Sequence, residues 1–306
     1  MLSECGTRVR SASLIAAEIL ARNPRPSRRY DAPRRCGARG TRHVVCCQQG
    51  WLGWVGSESG RRAYAGRVST SERAGAGSDV GVSADRSWGT RSHREALAEL
   101  VLLGWTPCGV GDWAVALRSP GGGFAARVCP FDPAYSAFLE LCRRCAGSRY
   151  LPHIDLTAAL DGGGCLTVLE FLAPAQEAAA AQLIRQWKRD EGDPELSMVK
   201  TAALAVDEEY RARLPWWDGI DLNQGNVRQS VDGRLALVDV FCMDGAALYG
   251  QILRDPAVVR RLIPADQRRH LLEIPYLARE SSPAELYALH DAWLGREPGS
   301  VRRLRR

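Results

Sequence analysis

Hydrophobic periodicity splits this chain in two. Residues 24–90 are rich in Arg, Gly, Ser and Pro, with apolar side chains spaced for neither a helix nor a strand; regular spacing begins at Ser92. Stretches such as Arg34-Arg35-Cys36-Gly37-Ala38-Arg39-Gly40 and Ala74-Gly75-Ala76-Gly77-Ser78 cannot bury enough apolar surface to offset the entropy of ordering the chain. One short amphipathic segment, Ser13 to Arg22, precedes them. Charge divides at the same place. Residues 1–86 hold 15 arginines, no lysine and 7 acids, whereas residues 87–306 hold 26 basic and 28 acidic side chains. The division predicts an unstructured Arg/Gly/Ser-rich leader over 1–90 and a folded body over 91–306. An Arg-rich leader could tether nucleic acid or act as an organellar presequence. The plainer reading is adopted here, and no nucleic-acid partner is expected.

Composition excludes several classes. Apolar residues make up 45 % and charged residues 25 % of the 306, ordinary globular values that rule out a fibrous or wholly disordered chain. No run approaches the roughly 18 apolar residues of a membrane span, so no membrane partner is expected. The start lacks an apolar core followed by a cleavage site. The ten cysteines therefore read as reduced thiols in a cytoplasmic protein. Cys142-x-x-Cys145 falls within a helical pattern and has no second pair at zinc-ribbon spacing.

Within the body, Ser92 and Glu95 form a capping-box signature before a helix over Arg94 to Leu103. Strand texture follows: Trp105 to Gly109, Trp113 to Leu117, the turn Ser119-Pro120-Gly121-Gly122-Gly123, and Phe124 to Val128. Asp132-Pro133 then supplies an N-cap and a first-turn proline for a helix over Ala134 to Ala146. Thr167 to Phe171 reads as a buried strand, with helices over roughly 175–190 and 195–213 after it.

The chemistry is concentrated between Asp221 and Phe241. Asp221-Leu222-Asn223-Gln224-Gly225-Asn226 carries an acid and an amide five positions apart. Val227 to Ser230, Val231-Asp232-Gly233 and Leu235 to Val238 form a hairpin signal, and Asp239 closes its second strand. Folding that ribbon brings Asn226 and Asp239 together, with Asp221 on the loop beside them. One carboxylate and one amide oxygen suit a hard divalent cation that keeps water and bridges phosphates. A second carboxylate nearby suits orientation or deprotonation of a hydroxyl.

The pattern Asp221-x-x-x-x-Asn226 followed by Asp239-x-Phe241 resembles the catalytic loop and metal-binding Asp-Phe-Gly region of the protein-kinase-like superfamily, closest to small-molecule kinases of the aminoglycoside phosphotransferase type. The likeness extends over about residues 95–245. It implies an α+β, two-lobed protein-kinase-like fold, with a small β-rich N-lobe near 91–172 and a compact helical C-lobe near 173–306. It also implies ATP and Mg²⁺ as cofactors and an unknown hydroxyl acceptor, a small molecule or a protein. Asp221 would be catalytic, and Asn226 and Asp239 would hold the metal. Gly109 and Gly111 would lie over the nucleotide phosphates, and Arg127 would stand at the strand position of the phosphate-binding lysine. Glu140 would pair with Arg127 from the next helix, and Glu170 would lie at the adenine-contacting hinge.

Three departures accompany the resemblance. Position 127 is Arg and not Lys, Gly219 occupies the place of the histidine in His-x-Asp, and Phe241 that of the glycine in Asp-Phe-Gly. Only 65 residues follow Phe241, too few for a full protein-kinase C-lobe. The sequence therefore points to a phosphotransferase, with a nucleotide-binding or partner-binding pseudokinase as the alternative.

Overall fold

A computed structural model describes residues 87–296. The leader, the Ser13–Arg22 segment and the Arg302–Arg306 tail lie outside the described residues, as do Cys5, Cys36, Cys46 and Cys47.

Packing already includes Trp88, which sits in a 3₁₀ turn over Trp88–Thr90 and is 2 % exposed. One aromatic among Gly, Ser and Arg leaves no periodic trace, so its burial was not visible in the spacing. Helix α1 (His93–Leu102) follows, opened by the reciprocal hydrogen bonds of a Ser92–Glu95 capping box. Next come strands β1 (Thr106–Val110), β2 (Val115–Arg118) and β3 (Phe124–Cys129), then helix α2 (Pro133–Arg144), whose N-cap Asp132 accepts from the Tyr135 N–H. Strands β4 (Ile154–Ala159) and β5 (Cys165–Glu170) complete an antiparallel sheet in the order β1-β2-β3-β5-β4. The alternation in β4 between half-buried and exposed residues is the edge-strand pattern that its polar Asp155 and Thr157 dictate.

Strand β3 lies mid-sheet and is buried on both faces. Period-two alternation sends Ala126 and Val128 to one side, where they join Leu97, Leu100, Trp105, Leu117, Leu166 and Val168 in a core beneath α1. Arg127 necessarily points to the opposite side.

That side leads into a second, larger core. It is built from α2, from helices α3 (Glu177–Arg189) and α4 (Pro194–Arg211), and from short ribbons downstream. Strands β6 (Ala173–Pro174), β8 (Val227–Gln229) and β9 (Leu235–Leu237) form one ribbon in the order β6-β8-β9. β7 (Trp217–Ile220) pairs with β10 (Phe241–Met243) in another. Trp216 and Trp217 are both buried packing anchors there. Helices α5 (Gly245–Arg254), α6 (Pro256–Leu262), α7 (Pro275–Glu280) and α8 (Pro283–Leu294) end the described chain. No helix among the described residues is long and apolar enough to cross a membrane.

Candidate active site

The expected β8–β9 hairpin closes with Val227 opposite Leu237 and Gln229 opposite Leu235. Gly233 takes a positive φ of 88° in its turn. At the other end of the ribbon the Val238 N–H donates to the Asn226 carbonyl at 2.8 Å, and the Asp221 N–H donates to the Val240 carbonyl at 2.8 Å. These backbone bonds hold Asp221, Asn226 and Asp239 around one small volume.

Asn226, 6 % exposed, spends both amide hydrogens on that frame. Its Nδ2 donates to the Asp221 carbonyl at 2.8 Å and to the Asp239 carbonyl at 3.0 Å. The side-chain oxygen is thereby the part of Asn226 that can serve a ligand. Asn223 supports the same loop, receiving the Gly225 N–H at 2.8 Å and donating to Asp221 Oδ2 at 3.1 Å.

Asp239 has a φ of 54°, the left-handed region that non-glycine residues rarely occupy. Strain of this kind persists only where surrounding contacts over-determine it. Burial pushes its carboxyl up to about 6, opposed by the Arg127 guanidinium and reinforced by the neighbouring acids Asp132 and Asp221. The group resists holding its charge, and a cation arriving beside it would relieve that cost.

Arg127 is 4 % exposed, and its charge is compensated on several sides. Nη2 lies 2.5 Å from Asp132 Oδ2 and 3.6 Å from Asp239 Oδ2, and the guanidinium carbon stands 3.6 Å from the centre of the Tyr135 ring. Although desolvation works against its charge, the carboxylates of Asp239 and Asp132 prevail and hold it protonated. Nη1 is buried without a hydrogen-bond partner. A guanidinium so placed can still donate to one anionic oxygen.

The expected partner of Arg127 is corrected by this geometry. Glu140 does not meet Arg127. It lies at the surface of α2, where Oε1 is 2.7 Å from both Arg143 Nη2 and Arg144 Nε. Asp132, read in sequence only as a helix cap, does both jobs: Oδ1 caps α2 and Oδ2 pairs with Arg127. Asp132 comes five positions after Arg127, and the tight strand-to-helix passage between them makes the nearer acid the partner.

Glu170 is similarly occupied. Its Oε1 accepts the His153 N–H at 2.7 Å and forms an ion pair with Arg234, which also donates to the Arg149 and Leu151 carbonyls. Its side chain belongs to this bracket between β5 and the β8–β9 turn.

The turn bearing Gly109 and Gly111 is anchored. Gly109 faces Ala116 just after a register irregularity in the β1–β2 pair, and the Gly111 N–H donates to the Ala114 carbonyl at 2.9 Å. From α7, Arg279 Nη1 donates to the Val110 and Gly111 carbonyls at 3.2 Å each, and Nη2 pairs with Asp112 Oδ1 at 2.6 Å. The Tyr276 N–H adds a bond to the Asp112 carbonyl at 2.8 Å. Nothing in the local sequence of residues 109–113 signals a partner more than 160 positions away.

Gly219 has a physical reason to be glycine. With φ at +108° it suits no L side chain, and an added Cβ would lie 2.4 Å from Arg211 Nη2 and 3.0 Å from Asp207 Oδ1. A side chain at this position would be strained against α4.

No family model matches this chain, and no curated protein is similar to it. Among solved structures, an aminoglycoside phosphotransferase, APH(3'')-Id from Streptomyces rimosus ATCC10970, is similar over 65 % of this chain and 98 % of its own, at 14 % identity and a TM-score of 0.28. A score that low carries no weight for activity, so a functional reading has to come from the residues themselves.

Proposed function

We propose that this chain is an ATP- and Mg²⁺-dependent phosphotransferase of the protein-kinase-like type, with a two-lobed body and a hydroxyl acceptor. The observation that carries the reading is the convergence of Asp221, Asn226 and Asp239 beside a buried arginine with an unpartnered nitrogen. A carboxylate and an amide oxygen make a hard-cation donor set, and Arg127 Nη1 suits a phosphate oxygen. Asn226 and Asp239 would hold Mg²⁺, which when bound bridges and neutralises phosphate oxygens. Asp221 orients the acceptor hydroxyl and accepts its proton. Arg127 balances charge on the nucleotide, and the Gly109–Gly111 turn approaches the phosphates by its backbone. Such catalysis is positioning and electrostatics, with little covalent work for the protein.

A second reading, a pseudokinase that binds nucleotide or a partner without transfer, is favoured by one observation. Arg127 is already neutralised by Asp132 and stacked on Tyr135, so less of its charge is free for nucleotide. Thermal shift with ATP, with and without Mg²⁺, followed by a phosphate-release and transfer assay on wild type and Asp221→Ala, separates the two. Metal-dependent stabilisation with turnover lost in the variant supports the enzyme. The same stabilisation without turnover supports the pseudokinase, and no metal-dependent shift removes both.

A further inference from the structure

Away from the Asp221–Asn226–Asp239 site, one cluster of ligating side chains has no place in that chemistry. His93 opens α1; His270 and Glu273 bracket a 3₁₀ turn over Leu271–Glu273, just before α7. One ligating atom from each residue lies within 4.8 Å of the other two. His93 Nε2 is 3.3 Å from Glu273 Oε2, and His270 Nδ1 is 3.1 Å from Glu273 Oε1. The imidazole rings meet edge to face, with centroids 4.9 Å apart. Tetrahedral zinc, with bonds of about 2.0–2.2 Å, sets neighbouring ligands roughly 3.3–3.5 Å apart, so the three ligands, within 4.8 Å of one another, would draw in around a bound ion.

We propose that His93, His270 and Glu273 form a site for a borderline divalent cation of the zinc type, tying α1 to the segment that leads into α7. The donor set selects the metal: two imidazoles and one carboxylate suit zinc, cobalt or nickel and not magnesium. Three protein ligands leave a fourth tetrahedral position to water.

Burial keeps the cluster from bulk water, His93 being 6 % exposed. The nitrogens nearest Glu273 are His93 Nε2 and His270 Nδ1, and the opposite ones, His93 Nδ1 and His270 Nε2, are buried with no hydrogen-bond partner. Two imidazoles packed together with a single carboxylate between them are poorly satisfied by protein alone.

The frame around the cluster is rigid. A Cβ on Gly162 would fall 2.5 Å from the His270 ring, and one on Gly163 would fall 2.2 Å from the Gln267 carbonyl oxygen, so the β4–β5 turn presses directly on residues 267–270. Arg269 pairs with Asp161 in the same turn. Arg94 Nη2, 2.6 Å from Glu273 Oε2, supplies a positive charge that an incoming cation would displace.

The test uses the full chain, stripped with chelator and kept reduced. Cobalt is added first, then zinc, with visible absorption and thermal melting as readouts. One equivalent of cobalt should give intense tetrahedral d–d bands without thiolate charge transfer, zinc should abolish them, and zinc should raise the melting temperature while Mg²⁺ does not. Separate His270→Gln and Glu273→Gln variants should weaken cobalt binding on the order of 100-fold or more. Arg94→Gln should tighten it by removing the competing charge, and His153→Gln should leave it unchanged. His93→Gln should behave like the other two ligand variants, which carry the test alone if it fails to fold. Absence of the bands, thiolate charge transfer pointing to the cysteines, or binding that survives both ligand variants would overturn the site.

Discussion

The regions on either side of the candidate site are held by different means. Around residues 221–241 the site's polar groups meet because a hairpin returns the chain on itself, and the hydrogen bonds that join Asp221, Asn226 and Asp239 to one another and to their backbone frame span fewer than twenty positions. The Gly109–Gly111 turn is instead fixed by Arg279 and Tyr276, far away in sequence, and Glu170 is taken up by Arg234. The lesson is that a site built by local closure can be read from spacing, whereas one completed by distant side chains cannot. Arg127 stands between the two regimes, joined to Asp132 nearby and to Asp239 from the hairpin.

The sharpest way to break this comparison is to remove the shared acid. Asp132→Ala strips a buried arginine of its nearest carboxylate and α2 of its cap, a combination expected to cost about 3–5 kcal/mol, read by urea unfolding. A loss near 1 kcal/mol would mean that Asp239 alone holds Arg127.

Asp239→Asn should act in the opposite direction on stability. A carboxyl raised toward 6 in the folded state binds its proton more tightly than in the unfolded chain. It therefore costs little near pH 4, destabilises increasingly as pH rises from about 4 to 6, and levels off above that. The amide removes that cost, so the variant should gain on the order of 1 kcal/mol at pH 8 and little at pH 4. The same proton competes with metal. Mg²⁺-dependent nucleotide binding by the wild type should weaken as pH falls below about 6, and the variant should lack it at every pH.

Arg279→Ala sharpens the distant half of the comparison. It removes charge-assisted bonds to a half-buried turn, expected to cost about 1–3 kcal/mol. Hydrogen exchange at Gly111 should accelerate while the Asp221–Asn226 loop keeps its protection. Acceleration in both places would show the two regions to be one cooperative unit. The smallest effect belongs to Glu140→Gln, a surface change expected to stay within about 0.5 kcal/mol and to leave nucleotide binding untouched.

Much of the architecture was legible in the sequence. The capping box at Ser92, the Asp132-Pro133 start of α2 and the Asp232-Gly233 turn are local signals, and each stands where its chemistry requires. The convergence of Asn226 and Asp239 followed from hairpin geometry alone. Strand β4 was legible in the apolar–polar alternation of Ile154-Asp155-Leu156-Thr157 but went unread, whereas Trp88 left no trace because a lone aromatic has no period. The partner of Arg127 was misassigned to Glu140. A resemblance carries the order of residues, and the passage from β3 to α2 in this chain sets the distances. The His93–His270–Glu273 cluster joins residues up to 180 positions apart, and no spacing rule could have assembled it.

The central claim is that an acid, an amide and a second acid meet around a metal-bound triphosphate. Its most direct measurement is the electron paramagnetic resonance of Mn²⁺ titrated into the protein with and without ATP. The account predicts that protein and ATP together change the Mn²⁺ signal beyond what ATP alone does, and that Asp239→Asn removes this excess. Equal Mn²⁺ binding by the variant, or binding indifferent to ATP, would contradict it.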